Sequence, residues 1–253
     1  INIVGNNVFN DEDLLDQFKL QMPDWLSFIQ QDDRYAREDL QGDLETLESF
    51  YLDRGYANFT IDSAQVAISP DKTGIFVTVN ISEGDVYRLS DVKLTGEFVV
   101  PKEEIQRLVL AQPGQIFSQG LLTQATELIK YRLGEDGYSF AEVQAIPELD
   151  DETMEAKIVF YIQPKSRVYV RRVSFSDTTS INDEVLRREL RQMEGGYMSK
   201  SRLERSKIRL QRLPFIEDVE FDTIPVAGTT DLVDAVFTIK EGLPGQFGGG
   251  IGY

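Results

Sequence analysis

The side chains that could do chemistry in this chain are carboxylates. Its 253 residues include 43 Asp and Glu, 26 Lys and Arg, and neither His nor Cys. That inventory removes thiol nucleophiles, His-based triads, imidazole zinc sites and CxxC redox chemistry. What remains is two-carboxylate hydrolysis. Among 43 acids adjacent ones are inevitable, for example Asp32 with Asp33, Glu103 with Glu104, and Asp150 with Asp151. Such catalysis needs two acids facing each other across a cleft with separated pKa values. Neighbours in a polar turn or a helix start do not meet that demand, and solvation accounts for all three pairs. No stretch has the spaced acids and closing Glu of a calcium loop. The run Gly248, Gly249, Gly250, with Gly252, lacks the following helix and the acid about 20 positions on that a dinucleotide loop requires. The expectation is no enzyme, no cofactor and no metal.

The excess of acid, a formal net charge of −17, also limits partners. Binding to nucleic acid or to anionic lipid needs clustered Lys and Arg, so neither is expected. No apolar run approaches the roughly 18–20 residues of a membrane helix. The chain lacks an initial Met and a leader, and reads as a piece of a longer protein. With 41% apolar and 27% charged residues it is expected to fold. The absence of Cys fits a reducing or an oxidising compartment equally.

The elements that would position any site come from an internal repeat. Short apolar strands with a Gly or Asp turn occur at residues 1–6, 92–97 and 173–177. Each precedes an acidic helix start: Asn10, Asp11 and Asp13, then Pro101, Glu103 and Glu104, then Asn182, Asp183 and Glu184. A second helix follows each time. Leu40, Leu44, Leu47 and Tyr51 form one amphipathic stripe, Leu122, Ala125, Ile129 and Leu133 repeat it, and Leu203, Leu210 and Leu213 do so more weakly. Gly55, Gly137 and Pro214 are the stops. Two alternating strands complete each unit, with turns at 70–74, 149–152 and 227–230. The first unit is longer because of an insert around residues 22–28.

Each unit of about 80 residues can bury a small core of two helices on a three-stranded sheet. The hairpin makes strands two and three neighbours. The helical crossover lets strand one lie parallel to strand three. Strand two is then left at a rim, where it can accept a strand from another chain or simply be an edge blunted by charge and twist.

These residues resemble tandem POTRA domains, the polypeptide-transport-associated repeats of outer-membrane barrel insertases. The carrying segments are residues 1–6, 42–47, 51–57, 169–171, 185–189 and 191–195. The tail from Phe247 to Tyr253 resembles the opening of a first barrel strand, with Phe247, Gly249, Ile251 and Tyr253 on one face. The resemblance covers nearly the whole chain. It implies an α+β array of the third, fourth and fifth POTRA domains, each β-α-α-β-β on a mixed sheet. The expected boundaries are 1–84 (its first strand truncated), 85–164 and 165–242, with 243–253 as linker and first barrel strand. Short joints at 82–85 and 163–166 favour restricted motion between units.

The resemblance also implies what the array does. It places the chain on the periplasmic face of the outer membrane, with the full-length protein embedded through a barrel beyond residue 253. It implies a scaffold for barrel-protein insertion that holds accessory lipoproteins and unfolded outer-membrane proteins. The propeller lipoprotein BamB is expected on the first unit's second strand, which includes Asp62 and Val66. The helical-repeat lipoprotein BamD is expected at Arg187 and Glu194 of the third unit. Read by themselves, Arg187 and Glu194 are seven apart and would share a helical face, as a docking surface or as solvated local ion pairs. Two other readings stay open: a POTRA-bearing relative in another outer-membrane system, and a non-enzymatic repeat adaptor of the cell envelope.

Overall fold

The computed structural model describes residues 1–18, 33–68, 75–178 and 181–242. The insert around residues 22–28, the turn at 70–74 and the tail at 247–253 lie outside the described residues. Among those described, one order of elements occurs three times. The first module has β1 (Asn2–Val4), α1 (Asp11–Leu15), α2 (Asp33–Leu52), β2 (Thr60–Ile68) and β3 (Ile75–Ser82). The second has β4 (Arg88–Gly96), α3 (Lys102–Gln106), α4 (Gln119–Glu135), β5 (Glu142–Asp150) and β6 (Glu155–Gln163). The third has β7 (Tyr169–Ser176), α5 (Asp183–Glu189), α6 (Lys200–Gln211), β8 (Ile216–Pro225) and β9 (Leu232–Glu241).

The sheets are ordered β1-β3-β2, β4-β6-β5 and β7-β9-β8. In the first, β1 runs parallel to β3 with Ile3 opposite Val79, and β2 runs antiparallel to it with Val66 opposite Val77. The third repeats this with Val173 opposite Ala235 and Phe221 opposite Phe237. The α+β, mixed-sheet architecture expected from the repeat is therefore the observed one. By compactness the chain divides into two units, residues 1–94 with 109–126 and 145–160, and residues 95–108 with 127–144 and 161–253.

The predicted helical stripes supply the buried faces, although Leu40 and Leu44 are only half-buried and Leu213 is half-buried beyond the end of α6. Leu47 and Tyr51 in α2, and Leu122, Ala125, Ile129 and Leu133 in α4, are buried. The third stripe is weak in sequence because a Ser stands within it. Buried Ser206, between Leu203 and Leu210 of α6, accepts hydrogen bonds from the N–H groups of Arg191 and Gln192 at 2.8 and 3.3 Å. It donates to the Arg202 carbonyl, so the polar residue is satisfied and fastens a loop to the helix.

The caps follow the acidic starts. Asn10 accepts from the Asp13 N–H at 2.8 Å and Asn182 from the Glu184 N–H at 3.0 Å, whereas Pro101 makes no side-chain cap. The turn after each first strand needs a left-handed residue. Gly5 and Gly96 have φ of +105° and +101°, and a Cβ on either would fall 2.1 Å from the carbonyl oxygen of Ile81 or Ile162. The third module places Asp177 there at φ 61°, one of the few residue types that tolerate this region.

The first module's core is built around Tyr51, stacked on Phe59 at 4.3 Å and met edge-on by Phe9, Phe50 and Tyr56. Its hydroxyl donates to buried Glu83 at 2.9 Å, and Glu83 also accepts from the N–H groups of Asn7 and Val8. Burial and that carboxylate push the Tyr51 phenol above its usual range. The acid at the module's end thus ties the loop after β1 to the end of β3.

Candidate partner-docking sites

The first predicted site is the outer strand of the first sheet. Among the described residues β2 pairs with β3 on one side only, so its other side is a rim. Asp62 falls at a bulge, where the register passes from Ile61 opposite Ile81 to Ser63 opposite Asn80. Its carboxylate accepts from Ser82 Oγ at 2.7 Å and Thr60 Oγ1 at 3.1 Å, which fastens the bulged strand to β3. Val66 lies opposite buried Val77, yet is 51% exposed. Opposite Ala67 stands Phe76, 63% exposed. The far end of this hairpin therefore presents apolar side chains on both faces.

The three equivalent rims differ in how they are blunted. β5 carries Glu142, Glu148, Asp150 and, within the strand, Pro147. β8 carries Glu217, Asp218, Glu220 and Asp222 and ends at Pro225. Charge and Pro both oppose the addition of a strand. β2 has no Pro, and its single charge, Asp62, is engaged within its own sheet.

The second predicted site is built differently from its sequence rationale. α5 ends at Glu189, and its C-cap Leu190 is extended and buried, so Glu194 is not on the helix with Arg187. A loop carries it back instead. Buried Gln192 holds that loop by donating to the carbonyls of Met193 and Tyr197 and accepting from the Ser199 N–H. Arg187 Nη1 then lies 3.2 Å from Glu194 Oε1. The guanidinium also donates to Asp183 Oδ2 at 2.5 Å and to the Val173 carbonyl at 3.0 Å, and lies over the Phe175 ring. Glu194 accepts from the Val173 N–H at 2.8 Å.

That backbone bond, and Arg187, hold the Glu194 carboxyl below its usual range. The bond to Asp183, then that to Glu194, raise the Arg187 guanidinium. Both charges stay partly open to solvent, beside a Met193 side chain that is 63% exposed. Sequence reasoning missed Asp183 and Met193. The i,i+4 spacing of Asp183 and Arg187 is a visible signal for the first, while the Val173 backbone contact left none.

Among the described residues, members of the acid pairs are engaged in local bonds. Asp150 caps a turn through the N–H groups of Glu152 and Thr153, which lower its pKa, and Asp151 accepts from the Tyr87 hydroxyl. Glu104 is bonded to Arg132. Asp32 and the side chain of Asp33 lie outside the described residues. A surface groove of about 420 Å³ in the third module is lined by Asp177, Asp218, Glu220 and Lys240. Among the described residues no three acids are grouped to hold a metal ion, and no helix is long and apolar enough to cross a membrane.

A β-α-α-β-β unit whose last strand is central to a three-stranded mixed sheet, repeated in tandem, is a POTRA array. The chain matches the POTRA family (surface antigen variable number repeat) over residues 1–84, 87–165 and 168–242, and it belongs to that family. Within it, the chain is similar to the outer membrane protein assembly factor BamA. It is 31% identical over 242 residues to BamA of Neisseria meningitidis, covering 95% of this chain and 30% of that protein. It is 29% identical over 254 residues to BamA of Buchnera aphidicola, covering 100% of this chain and 41% of that protein. The crystal structure of POTRA3–5 of Haemophilus influenzae BamA superposes with a TM-score of 0.77 at 28% identity, covering 95% of this chain and 94% of that one. The chain thus spans less than half the length of these two relatives.

Proposed function

We propose that this chain is a docking arm for outer-membrane protein assembly, positioned on the periplasmic face of the outer membrane as part of a longer, barrel-bearing protein. It acts by holding other proteins rather than by transforming small molecules. The supporting observation is the contrast among three equivalent sheet rims: β5 and β8 are closed to added strands by Pro and acid runs, while β2 is open and apolar at its far end. Main-chain pairing along β2 gives affinity with loose demands on partner sequence, which suits a BamB-like lipoprotein and unfolded barrel substrates. The Arg187 and Glu194 pair, with exposed Met193, forms a second surface suited to a BamD-like helical partner. An apolar anchor beside oriented charges has the composition of an interaction hot spot.

Capture on the immobilised chain tests this reading. Successive amides of a strand point to opposite sides. Of Gln65→Pro and Val66→Pro, one removes a ladder bond and the other only a rim donor. The variant that keeps parental circular dichroism is expected to lose BamB while retaining BamD. Glu194→Lys is expected to show the reverse pattern. Full BamB capture by both proline variants would reject strand addition on β2.

A further inference from the structure

The two joints between modules are built on the same four groups. In the first, Asp53 stands just beyond the end of α2, and its Oδ1 accepts from Ser118 Oγ at 3.0 Å and from the Gly120 N–H at 2.6 Å. In the second, Glu135 is the last residue of α4, and its Oε1 accepts from Ser199 Oγ at 3.2 Å and from the Ser201 N–H at 3.1 Å. Ser118 and Ser199 occupy the position before α4 and α6, and each hydroxyl accepts from the N–H three residues on, Leu121 and Arg202. Each serine thus caps its own helix while donating to a carboxylate from the module before it. The hydroxyl of Ser201 also reaches Glu135, at the place where the first joint has Gly120.

Electrostatics explains why an acid stands there. The C-terminal end of a helix carries partial negative charge, so Asp53 and Glu135 are of the wrong sign for their own helices. Each finds the positive N-terminal end of the next module's long helix instead, with one free N–H group and the cap serine's hydroxyl as donors. Both joints also have a backbone bond, from the Tyr87 N–H to the Gly55 carbonyl at 2.9 Å and from the Val168 N–H to the Gly137 carbonyl at 2.8 Å, while their other side-chain contacts differ. The first has Tyr87 donating to Asp151 at 2.6 Å, with Asn58 bonded to both. The second has Arg167 over the rings of Tyr138 and Tyr197. The carboxylate cap is common to both. At the matching place in the third module, three residues before Phe215 as Asp53 is before Tyr56, stands Arg212.

We infer that Asp53 and Glu135 are joint locks: each fixes the angle between its own module and the next by sealing the N-terminus of the next module's long helix. The lock is a positioning device, independent of which partner docks on β2 or on the third module. It turns short linkers into defined angles, which a flexible tether would not give.

Spin-label distance measurements on the full chain test it. With no native Cys, labels go only where Cys is introduced. The pair Glu48→Cys with Thr123→Cys spans the first joint, and Glu127→Cys with Arg205→Cys spans the second. The parent is expected to give a narrow distance distribution at each joint. Asp53→Ala is expected to broaden the first alone and Glu135→Ala the second alone, with circular dichroism unchanged. Ser118→Ala and Ser199→Ala, which remove the donor from the helix side, are expected to reproduce these effects. Equal widths in parent and alanine variants at either joint would overturn the inference, as would broadening that does not follow the mutated joint.

Discussion

Arg187 and Glu194 stand seven residues apart in sequence and 3.2 Å apart in space, and between them they hold both backbone polar groups of Val173. Val173 is on β7, whose one sheet neighbour among the described residues is β9. Consecutive residues of a strand beside a parallel neighbour direct their amide pairs alternately inward and outward. The clasp occupies an outward pair, so the β7 rim is closed by side chains while the β8 rim is closed by charge. The pair proposed as a docking surface is therefore also part of the module's own frame.

The clasp gives the third module an acid limb. The Glu194 carboxyl is held below its usual value, so its stabilisation is complete above the unfolded value, about 4.3, and is lost as pH falls through the lower folded value. Glu194→Gln is expected to lower stability at pH 7 and to flatten the fall between pH 5 and 3. Hydrogen exchange of the third module's core amides in both forms measures this. An unchanged acid limb would assign it to other carboxylates.

The first joint has an alkaline counterpart. Tyr87 is buried, and its bond to Asp151 followed by burial pushes the phenol up to about 12. Raised folded values act in the opposite sense: the contribution is complete below the unfolded value, about 10, and is lost as pH rises through the folded one. Tyr87→Phe is expected to titrate one phenol fewer in that window and to lose the contribution at neutral pH. Ultraviolet titration of tyrosinate absorbance checks the first, and a neutral-pH urea melt the second.

Phe237 sets the scale for the third core. It is fully buried, with Phe221 and Phe175 at ring distances of 5.7 and 6.0 Å. Phe237→Ala is expected to cost the third module about 3–5 kcal/mol. The loss should appear in exchange protection of β7, β8 and β9 and leave β1 and β3 unchanged.

The left-handed turn after each first strand gives opposite signs to two substitutions. Gly96→Ala meets both a positive φ and the Ile162 carbonyl, so a loss of at least about 1–3 kcal/mol is expected from the strained backbone. Asp177→Gly relieves a side chain at φ 61° and is expected to gain a few tenths to about 1 kcal/mol. Urea melts followed by module-specific exchange distinguish the two.

The repeated module was legible in the order of the residues. Its helical stripes, acidic caps and left-handed turns are local periodicities set by neighbours within a few positions, so Leu122, Ala125, Ile129 and Leu133 read as a buried face before any coordinate. The same reading marked β2 and the residues of the third-module surface. How those residues meet came only with the folded chain. Helical spacing put Arg187 and Glu194 on one face, whereas a loop anchored by Gln192 and Ser206 brings them together after the helix has ended. Likewise Asp53 and Ser118 are 65 residues apart, and Glu135 and Ser199 are 64 apart. Period and propensity are properties of adjacent residues. A hydrogen bond between modules depends instead on where separate helices end in space, and no local pattern carries that information.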